Sequence, residues 1–246
     1  MQKKFGQNFL VNRSSRDKLI EALNPEPGSL VWEVGPGLGA MTRGLLDAGV
    51  RVCAFEIDRG FSLVLKELFA DENSFTLVEG DALKTVVLRR EQEEPDYFFG
   101  NLPYNIAASL IAGAIEKGIF YRRQVITVQK EVARRMAAEP GTADYSSISV
   151  LVSSFYKTRY LGTLRPGSFW PQPNVDSGSL LLELRDKSEL DALPPLLQAV
   201  SRALFEQRRK MIANTLERFC LGRIKLEPAM QHLDDGVLQA RSRELA

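Results

Sequence analysis

Between residues 30 and 128 the chain alternates short apolar runs with stretches of helical spacing. Leu30-Val31-Trp32-Glu33-Val34 is an apolar run that ends in glycines and reads as a buried strand. A helix is predicted from about Gly39 to Ala48, closed by Gly49. Arg51 to Glu56 is the next strand, and Ile57 to Phe69 has helical spacing with Leu63, Leu65, Leu68 and Phe69 apolar. Further strands are predicted at Ser74–Val78, Asp96–Gly100 and Gln124–Val128, with a helix at Ala107–Lys117 before the last of them. This alternation predicts an α/β fold, a Rossmann-like parallel sheet with helices on both faces and a ligand site at the carboxyl ends of its strands. After about residue 186 the pattern changes. Asp191-Ala192-Leu193-Pro194-Pro195 punctuates the chain, and Leu196–Phe219 reads as one long helix or two, with Leu197, Val200, Leu204, Met211, Ile212 and Leu216 on one side. The expected organisation is a cofactor-binding domain over 1–186 and a small helical C-terminal domain over 187–246.

Composition narrows the class. The chain has 246 residues, enough for a large domain plus a small one. With 44% hydrophobic and 26% charged residues it is a folded protein rather than a disordered one. No apolar run reaches the roughly 20 residues of a membrane-crossing helix, and Met1–Phe5 lacks the apolar core of a secretory signal. Cys53 and Cys220 lie far apart in apolar sequence and are expected to be reduced and buried, as in a cytoplasmic protein. His232 is the only histidine, and no cluster has metal-ligand spacing, so neither a metal site nor a serine-hydrolase triad is expected.

Net charge is +1, but it is unevenly placed. Residues 1–20 carry five basic side chains against one acidic. Residues 117–135 carry six (Lys117, Arg122, Arg123, Lys130, Arg134, Arg135) against one, and residues 71–96 carry eight acidic against three basic. Any one such run can be a plain solvated face. Two basic runs in a nearly neutral chain make a phosphate-binding face the alternative to test.

Glu33-Val34-Gly35-Pro36-Gly37-Leu38-Gly39-Ala40 follows a strand and opens a helix. Glycines there permit a tight turn and close approach of a ligand to the main chain. The run also fits G-x-G-x-x-A, so it does not by itself separate a dinucleotide from S-adenosylmethionine. Glu56 ends the next strand, where a carboxylate can accept from both hydroxyls of a ribose. Asp81, after Gly80 at the end of the third strand, is either beside the cofactor's purine or an ordinary turn residue.

Gly100-Asn101-Leu102-Pro103-Tyr104-Asn105 follows the fourth strand and is far more specific. The nitrogen of an adenine N6 amine is a poor nucleophile because its lone pair is delocalised into the ring. The side-chain oxygen of Asn101 and a neighbouring main-chain carbonyl can accept from the amine and localise that pair. Pro103 stiffens the loop through its fixed φ, and Tyr104 offers a ring for the base to stack on. Catalysis would consist mainly of positioning and of dipoles aimed at the developing charge. A base extruded from its stack calls for a second aromatic. Phe169 in Pro166-Gly167-Ser168-Phe169-Trp170-Pro171-Gln172-Pro173 is the candidate, with core packing as its other reading.

Together these segments resemble the bacterial ribosomal RNA adenine dimethyltransferases of the kasugamycin-sensitivity type. Phe5–Leu10 resembles the family's N-terminal signature, Glu33–Gly39 its cofactor loop, and Asn101–Asn105 its catalytic loop. Phe169–Ser177 resembles the segment bordering the target base, and Phe205-Glu206-Gln207-Arg208-Arg209-Lys210 the basic helix of the C-terminal domain. The resemblance implies an S-adenosylmethionine methyltransferase sheet. It implies cofactor contacts at Asn8, Leu10, Gly35, Gly37, Glu56, Ile57, Asp81, Ala82 and Asn101, and catalytic roles for Asn101, Leu102, Pro103, Tyr104 and Phe169. It implies RNA contacts at Arg208, Arg209 and Lys210, and the basic run 117–135 adds Arg122, Arg123 and Arg134 as candidates. Its substrate would be two adjacent adenines near the 3′ end of 16S ribosomal RNA in a pre-30S particle, and the enzyme would act as a monomer in the cytoplasm. Chains of the family run on past Arg241–Ala246 with a final helix, so a truncated or compact member is expected. The rival readings are the large-subunit, macrolide-resistance type of adenine methyltransferase, a DNA adenine methyltransferase, and a non-catalytic assembly factor that keeps the fold.

Overall fold

The computed structural model describes residues 8–194, 196–206 and 210–220. In chain order the elements are β1 (Phe9–Leu10), α1 (Arg13–Leu23), β2 (Leu30–Val34), α2 (Ala40–Asp47), β3 (Arg51–Glu56), α3 (Arg59–Leu68), β4 (Phe75–Glu79) and α4 (Ala82–Arg90). There follow β5 (Tyr97–Asn101), α5 (Ala107–Glu116), β6 (Arg123–Gln129), α6 (Lys130–Met136), α7 (Ser147–Phe155), β7 (Tyr156–Leu164), β8 (Phe169–Trp170), β9 (Ser177–Leu184), α8 (Lys187–Asp191), α9 (Leu197–Glu206) and α10 (Ile212–Cys220).

The chain divides into two compact units, Met1–Arg134 with Tyr156–Leu184, and Arg135–Phe155 with Arg185–Ala246. The sequence pattern predicts a single boundary at 186. In the structure residues 135–155 group with the C-terminal stretch instead, because α7 packs on α9.

The first unit holds a seven-stranded sheet in the order β4-β3-β2-β5-β6-β9-β7. Its β4, β3, β2, β5 and β6 are parallel, as the alternation predicts, whereas β9 runs antiparallel to β6 and to β7. Successive strand residues face opposite sides. Val31, Val52, Ala54, Phe99 and Val125 form one apolar face with Leu19 and Leu23 of α1 and Met41 and Leu45 of α2. The other face carries rings, with Trp32 edge-on to Phe55 and Phe98 tilted onto Tyr121. α4 packs on β3 and on α5. Central strands buried on both faces read as the continuous apolar runs seen in the sequence. β1 and β8 pair separately as a two-stranded ribbon, with Phe9 opposite Trp170 and Leu10 opposite Phe169. Cys53 is a free, buried thiol whose pKa burial pushes up to about 11, the behaviour of an inert core residue.

In the second unit Leu196–Phe219 forms two helices, α9 and α10, rather than one. Tyr145 meets Phe205 edge-on, and α8 opens with a capping box between Asp186 and Glu189. Among the described residues no helix is long and apolar enough to cross a membrane.

Leu45 is fully buried where α2 meets the sheet. Leu45→Ala is expected to lower the unfolding free energy of the sheet unit by about 2–5 kcal/mol, read as a drop in the midpoint of a urea titration.

Candidate functional site

Register places the site. Val34 pairs with Phe55 on one side and with Gly100 on the other, and Glu56 pairs with Glu79. The carboxyl ends of β4, β3, β2 and β5 therefore lie side by side, and one cleft opens across them. Gly35 and Gly37, Glu56 and Ile57, Asp81 and Ala82, and Asn101 to Tyr104 all line it. A Cβ placed on Gly35 would lie 3.5 Å from the carbonyl oxygen of Asn101, so the glycine loop and the Asn-Leu-Pro-Tyr loop share a wall.

Each lining residue is held by its own turn. Gly37 has φ +58, and a Cβ there would come within 2.4 Å of two ring carbons of Phe9. Its N–H donates to Oε2 of Glu56 at 3.3 Å, while the N–H of Asp58 donates to Oε1 at 2.8 Å. Glu56 thus braces the glycine loop from below. Burial raises its pKa, and hydrogen bonds from the main chain oppose that rise. Asp81 caps α4, its Oδ1 accepting from the N–H of Leu83 at 3.0 Å, which leaves the second carboxylate oxygen free of this cap.

In the neighbouring loop the main-chain N–H of Leu102 donates to the carbonyl of Thr127 at 3.0 Å, and the Pro103 carbonyl accepts from Ile106 and Ala107. Asn101 Nδ2 donates to the Asn8 carbonyl at 2.6 Å, and Asn101 Oδ1 accepts from the Thr127 hydroxyl at 2.6 Å. The Tyr104 hydroxyl shares a 2.6 Å hydrogen bond with Ser177, and burial raises its pKa.

Not every expected residue reaches the cleft. Asn8 lines it, but Leu10 points to the other side of the β1–β8 ribbon, into the apolar cluster. Phe169, opposite Leu10, is 2% exposed in the same cluster, so its core reading fits this structure and its ring does not line the cleft. Arg122 just precedes β6 and Arg123 starts it, at the far end of the strand from Thr127. Arg122 forms a two-pronged contact with Glu26 at 2.8 and 3.0 Å, and Arg123 pairs with Glu183 at 3.0 Å. Their charges serve a surface at the amino end of the sheet. Arg134 and Lys210 are exposed. Arg208 and Arg209, like Phe5–Gln7, lie outside the described residues.

Sequence reasoning passed over Phe9, Ile106, Thr127 and Ser177. Phe9 and Ile106 line the cleft, and Phe9 also meets Phe61 edge-on at 5.1 Å. Thr127 carried a legible signal, a polar residue inside the buried run Val125–Val128.

Behind the glycine loop, Glu33 ends as a fully buried carboxyl whose Oε2 accepts from the Thr42 hydroxyl at 2.7 Å. Desolvation drives its pKa up to about 7, the Thr42 bond opposes this, and the charge of Glu56 adds to it.

A largely parallel sheet with a glycine loop after its first core strand, an acidic residue ending the next and an Asn-Leu-Pro-Tyr loop beside them defines a Rossmann-like methyltransferase. The ribosomal RNA adenine dimethylase family model matches residues 1–242, and the chain belongs to that family. The chain is similar to ribosomal RNA small subunit methyltransferase A of Treponema denticola, 47% identical over 219 residues that cover 88% of this chain and 75% of the relative. The same-named protein of Borreliella burgdorferi is 39% identical and covers 92% and 78%. Among solved structures, a dimethyladenosine transferase from Plasmodium falciparum superposes with a TM-score of 0.78 at 27% identity, covering 96% of this chain and 92% of that one. The 23S rRNA methyltransferase ErmE superposes at 0.68 and 25%, covering 97% and 96%.

A carboxyl whose pKa rises on folding stabilises the fold fully below its unfolded value near 4.5, and that contribution is lost as pH climbs through about 7. Thermal unfolding is expected to show stability falling across this window. Glu33→Gln should flatten that slope and leave the variant relatively more stable at pH 8.

Proposed function

We propose that this protein uses S-adenosylmethionine to dimethylate N6 of two adjacent adenines near the 3′ end of 16S ribosomal RNA during small-subunit assembly. Family membership and the relatives named for the small subunit support the substrate. The single observation that carries the chemistry is the shared wall between Gly35 and Asn101, because a methyl donor on one loop then faces an amine on the other.

The residues fit the cofactor. The cleft mixes an apolar wall (Phe9, Val34, Ile57) with carboxylates at Glu56 and Asp81, as a nucleoside requires. Gly35 and Gly37 let it approach the main chain, Glu56 keeps lone pairs for ribose hydroxyls, and the free oxygen of Asp81 accepts from the purine amine. Asn8, Ile57 and Ala82 complete the walls. When bound, S-adenosylmethionine supplies the methyl group from a sulfonium centre.

The chain's own residues do the rest. Asn101 Oδ1 and a neighbouring carbonyl accept from the target amine, which localises the nitrogen lone pair and aims it. The fixed loop pre-sets these dipoles, so no reorganisation accompanies the reaction. Tyr104 gives the flipped base a stacking face, at a flipping cost of a few kcal/mol. The amine sheds its proton to water after transfer, so no dedicated base is needed. Arg134 and the cations of the C-terminal segment (Arg208, Arg209, Lys210) contribute phosphate contacts. The same reading makes the protein a cytoplasmic monomer acting on a pre-30S particle.

With labelled cofactor, methyl groups are expected in small-subunit RNA as N6,N6-dimethyladenosine. Incorporation confined to large-subunit RNA would overturn the substrate assignment. Asn101→Ala should keep RNA affinity within about twofold and lose about 10²–10³ in turnover, the loss on removing one oriented dipole. Reversing the charge of Arg208 and Arg209 together should weaken RNA binding and reduce its dependence on salt; an unchanged salt slope would remove these residues from the interface.

A further inference from the structure

The amide of Asn101 can point two ways, and only one offers oxygen to an amine. Two neighbours decide between them. The carbonyl of Asn8 can only accept, so the atom facing it at 2.6 Å is Nδ2. Oδ1 then faces Thr127, whose hydroxyl must be the donor of their 2.6 Å bond. An amide oxygen has two lone pairs. Thr127 occupies one and leaves the second for another donor.

Thr127 is well built for this work. It lies mid-strand on β6 and is 1% exposed, between the buried Ile126 and Val128. Its main-chain carbonyl also holds the N–H of Leu102, the next residue of the loop. One residue therefore grips the loop through main chain and side chain together.

We infer that Thr127 is a positioning residue of the methyl-transfer reaction, which keeps the Asn101 side-chain oxygen turned toward the substrate amine. The inference rests on the role proposed above for Asn101. Rotation about the terminal torsion of Asn is soft. Without the hydroxyl, only the Asn8 carbonyl still holds the amide, and Oδ1 can swing off the line to the substrate amine. A swung oxygen withdraws the dipole that favours transfer. Positioning of this kind is worth large factors in rate and little in binding, since cofactor and RNA are held by other groups.

The test is a set of four variants assayed for cofactor affinity, KM for RNA, kcat and thermal stability. Thr127→Val keeps the shape and the main-chain grip but removes the donor; should it fail to fold, Thr127→Ala takes its place. The expected result is a fall in kcat on the order of 10–100-fold, with cofactor affinity and KM for RNA within about twofold. Thr127→Ser should restore most of the rate, because it returns only the hydroxyl. The double variant Thr127→Val with Asn101→Ala should be no slower than Asn101→Ala alone. Wild-type kcat in Thr127→Val beside a crippled Asn101→Ala would overturn the inference and leave the Asn101 reading standing. Equal and independent losses in the double variant would also overturn it. A fully active Asn101→Ala would overturn the proposed role of Asn101 itself, and this inference with it.

Discussion

The position of β2 between β3 and β5 is the constraint on which the site depends. Pairing of Val34 with both Phe55 and Gly100 brings three strand ends level, and the chain must turn at each of them. The first turn exposes glycine main chain, the second presents Glu56 and the third presents Asn101. None of these residues needs a long side chain to meet its neighbours, because the sheet has already brought the main chains together. A slip of one residue in either pairing would turn every side chain of the slipped strand to the opposite face, and the buried rings of Trp32 and Phe98 resist such a slip.

Much of this arrangement was legible in the residue pattern. Leu30–Val34 and Arg51–Glu56 coincide with their strands to the residue, because a buried parallel strand needs an unbroken apolar run and glycines mark its end. The loop residues from Gly35 to Tyr104 could be placed at the cleft because parallel topology alone collects strand carboxyl ends. The outer strands were not legible in the same way. β7, Tyr156–Leu164, is an edge strand of mixed polarity with a bulge near Tyr160 and Gly162, and its pairing with β9 is tertiary information. Arg122 and Arg123 show a related limit. Sequence shows charge but not partner, and the partners Glu26 and Glu183 come from distant parts of the chain. Phe169 shows a third. An aromatic beside prolines looks available, but ribbon pairing turned it inward with Leu10.

The polar groups of the site are braced rather than left loose. Glu56 takes two main-chain donors, Asn101 is tied at both ends of its amide, and the hydroxyl of Tyr104 is tied to Ser177. Buried polar groups cost free energy unless paired, so this bracing is required by burial. Each of these oxygens also keeps acceptor capacity beyond the bonds it makes. Stability and preorganisation are here the same set of hydrogen bonds.

One of those bonds begins beside a very small element. The Asn8 carbonyl, just before β1, and the Phe9 ring on it reach the cleft beside a strand that is two residues long and, among the described residues, pairs with the equally short β8. So slight a ribbon opens at lower free energy than the seven-stranded sheet beside it. Under mild denaturing conditions the reaction chamber would therefore come apart while its scaffold stays folded, and loss of turnover would precede any loss of helical signal.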